Sequence, residues 1–209
     1  MSHVLGPTAH SDTFARDNLP PVESWPVFNL EKFQYPEYLN AGVELTDRMV
    51  EQGFGDNTAL IGNGRQRTYK ELSDWTNRIA HALAEDYGVK PGNRILIRSA
   101  NNPAMVACWL AATKAGAVVV NTMPMLRAGE LAQIVDKAEI EFALCDTRLM
   151  DELVACAKDS RFLKKVIGFD LITLRRRRRP SASLLPADAG PLTQPSMLPT
   201  PTTISSITF

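Results

Sequence analysis

The stretch Thr68–Asp146, TYKELSDWTNRIAHALAEDYGVKPGNRILIRSANNPAMVACWLAATKAGAVVVNTMPMLRAGELAQIVDKAEIEFALCD, decides the fold. Thr68 and Glu71 stand three apart, so the hydroxyl can accept from the first helical turn while the carboxylate reaches back, a capping box. Leu72, Trp75, Ile79, Leu83 and Tyr87 then recur every three or four residues and define one apolar helix face that Gly88 terminates. Lys90-Pro91-Gly92-Asn93 is a turn, and Ile95-Leu96-Ile97, bounded by arginines, has the form of a buried parallel strand. Asn102-Pro103 opens a second helix, an N-cap followed by proline at the first helical position, which runs to Ala115 and stops at Gly116. Its side chains are nearly all apolar, so it must be covered on most sides. Ala117–Val120 reads as the next strand, Ala128–Lys137 as a third helix with Leu131, Ile134 and Val135 inward, and Phe142–Cys145 as a third strand.

Outward from this stretch the same alternation continues to a helix over Arg148–Lys158 and a strand over Lys165–Phe169. Successive strand–helix units at this spacing predict an α/β fold, a mostly parallel sheet with right-handed crossovers and flanking helices. On the N-terminal side, Thr58–Tyr69 alternates around Gly62-Asn63-Gly64 and predicts a β-hairpin. GNGRQR lacks the third glycine of a dinucleotide loop, and a strand follows it instead of a helix. Asn40 as N-cap and Gly53 as terminator predict a helix over Ala41–Gln52. Residues 1–39 carry Pro7, Pro20, Pro21, Pro26 and Pro36 among Phe14, Trp25, Phe28, Phe33, Tyr35 and Tyr38. Such a segment cannot form a long helix or a central strand, and its aromatics need a surface to pack on, so it reads as an arm lying on the domain.

Composition bounds the function. The chain has 209 residues, 44% apolar and 22% charged, with a net charge of zero, which suits a globular domain and gives no general reason to expect nucleic acid or membrane as partner. Cys108, Cys145 and Cys156 have no CxxC spacing and fall in apolar elements, as buried reduced thiols of a cytoplasmic protein would. The N-terminus lacks the basic start and apolar run of a signal peptide, and no stretch is long and apolar enough to span a bilayer. His3, His10 and His81 have no spacing that suggests metal or acid–base work, and His81 falls on the polar side of its helix.

The order TYKEL, GVKPGNRILI, NNPAMVACWLAATKAGAVVVNTMP and RAGELAQIVDKAE resembles the opening third of the adenylate-forming (AMP-binding) acyl- and aryl-CoA synthetases. The arm and the wording MPMLRAGEL resemble the benzoate and 2-aminobenzoate-CoA ligase branch. The resemblance implies the N-terminal portion of that family's large domain over residues 40–170. It also implies a two-step reaction, in which a carboxylate attacks the α-phosphate of ATP to give an acyl-adenylate and pyrophosphate, and the CoA thiol then displaces AMP. ATP, Mg²⁺ and CoA are the implied cofactors of the full-length family, and an aromatic carboxylate the implied substrate. In family members the loop corresponding to Met123–Arg127 carries basic residues near the path of the CoA phosphates. Arg127 is therefore the one candidate cofactor contact, at a position where many members place a helix-capping Thr or Ser.

The family's catalytic motifs cannot be carried over to any position. After Lys165 there is no lysine, and after Gly168 the only glycine is Gly190, so no glycine-rich phosphate loop with its lysine can be built there. The expectation is a truncated ligase that is inactive and binds none of these cofactors by itself, unless a separately encoded remainder completes it. Residues 171–209 change composition abruptly: Arg175–Arg179 are five consecutive arginines, followed by Pro, Ser and Thr. The tail reads as disordered, and one explanation of it is translation out of frame. The other is a non-catalytic module whose arginine run binds nucleic acid or a protein partner.

Overall fold

The computed structural model describes residues 6–26, 33–36 and 38–170. His3, Phe28 and the whole segment 171–209, with the expectations attached to them, lie outside the described residues.

Three short helices come first, α1 (Phe14–Asp17), α2 (Ala41–Glu44) and α3 (Asp47–Met49). The hairpin strands β1 (Thr58–Gly62) and β2 (Arg65–Thr68) pair antiparallel. They turn through Asn63 and Gly64, whose φ values of 53° and 69° are those the Asn-Gly pair tolerates. Next come α4 (Tyr69–His81), β3 (Arg94–Arg98), α5 (Pro103–Lys114), β4 (Val118–Thr122), α6 (Ala128–Lys137), β5 (Phe142–Asp146), α7 (Met150–Asp159) and β6 (Lys165–Phe169). The four strands β3–β6 form one parallel sheet in the order β4-β3-β5-β6.

The sequence signals for the starts of these elements act through specific bonds. Thr68 Oγ1 accepts from Glu71 N at 3.2 Å and Glu71 Oε2 from Thr68 N at 3.1 Å, the reciprocal capping box. Asn102 Oδ1 accepts from Met105 N, and Asn40 Oδ1 from Gly42 N and Val43 N. Strand alternation then divides the core. Ile95 and Ile97 face α4 and α5 together with Leu72, Leu83, Ala107 and Ala111, whereas Leu96, Ala143 and Cys145 face α6 and α7 together with Leu131, Val135 and Leu153. β3 is therefore buried on both faces along its whole length, as a central parallel strand must be.

The α-helix read up to Gly88 ends at His81 and passes into a π-helical turn, Ala82–Asp86, and the strand read over Ala117–Val120 lies at Val118–Thr122, but the largest departure from an expected form lies nearer the N-terminus. The helix over Ala41–Gln52 is broken: α2 ends at Glu44, Thr46 takes φ −134°, and the chain re-enters as α3 and then a π-helical turn, Val50–Phe54. Tertiary packing overrides the local pattern here. A Cβ on Gly42 would lie 2.7 Å from Leu110 O of α5, so α2 seats its backbone directly on α5. The break then lets Asp47 turn inward to Lys114, whose side chain is only 2% exposed. Lys114 Nζ donates to Asp47 at 2.9 Å and to Asn77 Oδ1 at 2.7 Å, and Ser73 and Asn77 also donate to Asp47. Burial pushes the Lys114 ammonium below its ordinary value, and the Asp47 carboxylate opposes that shift.

The N-terminal segment is fastened at the amino end of the sheet. Ser11 N and Asp12 N both donate to Pro91 O, and Asp12 accepts from Asn93 and from Arg94, whose guanidinium lies 4.3 Å from the Phe14 ring centroid. Gly92, at φ 92°, is required there, because a Cβ would overlap Asp12 O.

Replacing Lys114 by methionine keeps the volume but strips Asp47 of its buried cation. The expected cost is about 3 kcal/mol in urea unfolding, with part of it recovered by adding Asp47→Asn.

Candidate functional site

Open parallel sheets take ligands beyond the carboxyl ends of their strands, at the point where successive crossovers change direction. In this sheet that point lies between β3 and β5, since the chain leaves β3 for β4 on one side and returns to β5 on the other. The position is filled by Arg98, the last residue of β3, which is 1% exposed. Its Nε donates to Leu149 O at 3.2 Å, Nη1 to Met123 O at 3.1 Å, and Nη2 to Pro124 O and Leu126 O at 2.8 Å each. Four carbonyl dipoles thus replace the water that a buried guanidinium loses, and the loop after β4 is held against the turn after β5. The side chains of Met123 and Met125 are left pointing outward, 60% and 80% exposed.

Arg127 follows that loop as the N-cap residue of α6, with its side chain 79% exposed. An arginine has no acceptor atom and cannot cap a helix as Thr or Ser does. The acceptors come from elsewhere: Glu130 Oε2 takes Arg127 N, and Glu152 of α7 takes Ala128 N through Oε2, both at 2.9 Å. Through its other oxygen Glu152 also binds Arg127 Nη1 at 2.8 Å. The Arg127 hydrogen bond is the main influence holding the Glu152 carboxyl below the usual range, and the same pair raises Arg127. The positive end of α6 thus already carries two carboxylates, and an incoming phosphate would have to exchange with Glu152 at Arg127.

Next along the same edge, Asp146 ends β5 with 1% exposure, accepts from Arg148 N and Nε at Oδ1, both at 3.0 Å, and from Nη2 at Oδ2 at 2.6 Å. The Arg148 hydrogen bonds hold this carboxyl below its ordinary 3.8 in spite of burial.

No nucleophile–base pair emerges among the described residues. Burial pushes the Cys108 and Cys145 thiols up to about 12 and raises Cys156, so none offers a thiolate at neutral pH. His81 is exposed and lies 3.4 Å from Glu85, while His10 lines an apolar recess. No group of three His, Cys, Asp or Glu side chains able to hold a metal occurs among the described residues, and none of the described helices is long and apolar enough to cross a membrane. The hairpin arginines are tied down locally, Arg65 to Glu71 and Arg67 over the Trp75 ring at 4.6 Å.

A family profile described as AMP-binding enzyme matches residues 47–208. The chain belongs to this family. The matched span begins after the arm and passes Asp170, so it takes in the Arg175–Arg179 run, which had been set outside the family pattern on composition. The 3-hydroxybenzoate/4-hydroxybenzoate–CoA ligase of Thauera aromatica is 38% identical over 90 residues, 43% of this chain and 17% of that protein. The 3-oxocholest-4-en-26-oate–CoA ligase of Rhodococcus rhodochrous is 30% identical over 112 residues, 54% of this chain and 20% of that protein. A solved anthranilate CoA ligase in complex with anthranoyl-AMP superposes with a TM-score of 0.60 at 19% identity, over 65% of this chain and 26% of that one. The chain thus spans about a fifth of the length of these curated relatives. The fold is the adenylate-forming ligase fold in its N-terminal part, with the sheet and flanking helices that the alternation predicts.

The family resemblance brought Arg127 to notice, and nothing local in the sequence marked what surrounds it. Arg98 was read only as the boundary of a strand. Glu152 lies 25 residues from Arg127, and no local spacing links them.

Two outcomes follow from this geometry. Arg98→Met leaves four carbonyls without their donor and is expected to cost about 3 kcal/mol in chemical unfolding, whereas Arg127→Ala leaves the midpoint unchanged. Because the Asp146 carboxyl is depressed in the fold, its stabilisation is complete above 3.8 and is lost as pH falls through the folded value. The stability difference between the natural chain and Asp146→Asn is therefore constant near neutrality and closes in acid, measured as the urea midpoint against pH.

Proposed function

We propose that this chain is the N-terminal part of an aryl-CoA ligase, with benzoate or 2-aminobenzoate as the carboxylate of the complete enzyme. The observation that carries the reading is the AMP-binding family match over residues 47–208 on a parallel sheet whose solved neighbours are adenylate-forming ligases. The aromatic class is supported by relatives named as hydroxybenzoate–CoA ligases. In the complete enzyme the carboxylate would attack the α-phosphate of ATP with loss of pyrophosphate, and the CoA thiol would then displace AMP; Mg²⁺, when bound, would supply charge neutralisation at the phosphate oxygens, held by residues outside the described ones.

The contribution of this chain is positional. Arg98 fixes the course of Met123–Leu126, and that loop delivers Arg127 to the carboxyl edge of the sheet. Arg127 is proposed as a contact for a CoA phosphate: its guanidinium is exposed, and its partner Glu152 is a surface carboxylate for which a phosphate can substitute. No described residue offers a phosphate loop, so adenylation is proposed to need residues supplied by a separately encoded remainder of the ligase. An independent nucleic-acid module is the weaker reading, because the family match runs through the arginine run itself.

The test is aryl-acid-dependent pyrophosphate release. The purified chain with ATP, Mg²⁺ and benzoate or 2-aminobenzoate is expected to release none, and to do so once the remainder of the ligase is added as a second polypeptide. Release by the chain alone overturns the division of labour. In the reconstituted enzyme, Arg127→Ala is expected to raise the KM for CoA several-fold while leaving pyrophosphate release unchanged.

A further inference from the structure

Residues 8–14 cross the amino end of the sheet, from the start of β4 past β3 to the turn before β5. His10 enters a recess of about 200 Å³ whose lining includes Trp109 and Thr113 of α5 and Ala117 and Val119. Ser11 N and Asp12 N donate to Pro91 O, at 3.0 Å each, and the Asp12 carboxylate takes Asn93 and Arg94. Phe14 then lies against the Arg94 guanidinium, which also donates to Ala138 O and Glu139 O. The hold is polar and local. Both hydrophobic clusters begin at Ala59, and α1 buries none of its residues. If the segment lifts away, each Arg94 nitrogen still has a carbonyl, at Ala138, Gly92 or Glu139, and water can replace the two amides at Pro91 O. No buried charge is stranded, so opening costs far less than unfolding the sheet.

We propose that residues 8–14 are a proton-released strap, latched across the sheet while His10 is neutral and unlatched, with the sheet still folded, once His10 carries charge. The recess offers an imidazolium no partner. Its other lining, residues 39–41, Trp109, Thr113 and 116–119, contains no titratable side chain. Charges on the elements packed against it are turned elsewhere: Glu44 of α2 pairs with Arg48, Lys114 of α5 with Asp47, and Arg94 of β3 with Asp12, while Lys90 of the preceding turn is exposed. Burial holds the His10 imidazole below its ordinary 6.5, and the Asp12 charge opposes this only in part. The docked imidazole therefore resists a proton that the released one accepts. Docking is at full strength above 6.5 and weakens as pH falls below it. In spite of burial, hydrogen bonds from Asn93 and Arg94 hold the Asp12 carboxyl below its ordinary 3.8, so within residues 8–14 only His10 titrates near neutrality.

Amide exchange of the purified 209-residue chain, followed by NMR, tests this. Protection of the Ser11 and Asp12 amides is expected to fall at least about threefold between about pH 7.5 and about pH 5.5, while that of Ile95, Leu96 and Ile97 holds. The neutral variants His10→Phe and His10→Asn are expected to abolish the pH dependence. Asp12→Asn is expected to lower protection at every pH and leave the dependence in place. Protection that does not change with pH, or falls equally in the His10 variants, overturns the proposal. So does a loss shared by the β3 amides, which marks general unfolding, or a His10 imidazole that titrates at or above its ordinary 6.5.

Discussion

The structure depends on a five-residue strand, Arg94-Ile95-Leu96-Ile97-Arg98, buried on both faces and closed at each end by a buried arginine. A guanidinium is tolerated there only when its donors are matched, and in both cases backbone carbonyls do most of the matching. Arg94 donates to Ala138 O and Glu139 O of the α6–β5 turn and to Gly92 O, and reaches Asp12 of the N-terminal segment. Arg98 gathers the β4–α6 loop and the β5–α7 turn. Each arginine therefore fastens connections made by neighbouring strands. The hydrophobic layers set which strands lie together, and the two arginines set where the chain goes on leaving them.

Between these ends, the alternation of three apolar residues separates two cores. Ile95 and Ile97 complete one with α4 and α5, and Leu96 completes the other with α6 and α7. This division follows from the handedness of the crossovers. The step from β3 to β4 runs outward, so a right-handed connection places α5 on one face. The step from β4 back past β3 to β5 runs the other way and places α6 on the opposite face. Reversal of direction and burial of β3 on both sides are one geometric fact, and the same reversal creates the position that Arg98 fills.

Much of this was legible because the signals are local. Asn40, Thr68 and Asn102 cap the helices they precede, Asn63-Gly64 makes the hairpin turn, and β6 and α6 occupy the residues their patterns predict. What escaped was non-local. The pattern over Ala41–Gln52 is consistent with one helix, and only the approach of Gly42 to α5 and the pull of Lys114 on Asp47 explain its break. In the sequence Lys114 is a cation after a helical run, with nothing nearby to mark it as buried. Arg98 and Glu152 were missed for the same reason: their partners lie 24 to 51 residues away. The candidate site was less legible than the fold because the contacts that assemble it, those of Arg98 and Glu152, are long-range polar pairs.

That distinction also bears on which groups at the carboxyl edge can serve a ligand. Arg98 has committed its donors to four carbonyls inside the protein, and withdrawing them would leave those carbonyls buried and unpaired. Arg127 and Arg148 are held by carboxylates instead, and their side chains are 79% and 65% exposed. An ion pair in water is weakly held, and a phosphate offers a guanidinium the same oxygen geometry with more charge. Exchange at Arg127 leaves Glu152 with Ala128 N still bound, so the α6 cap survives the exchange. Asp146, by contrast, is nearly enclosed, and taking Arg148 from it would strand a buried carboxylate. Of the three arginines at this edge, Arg127 is the one whose charge is available without cost to the fold.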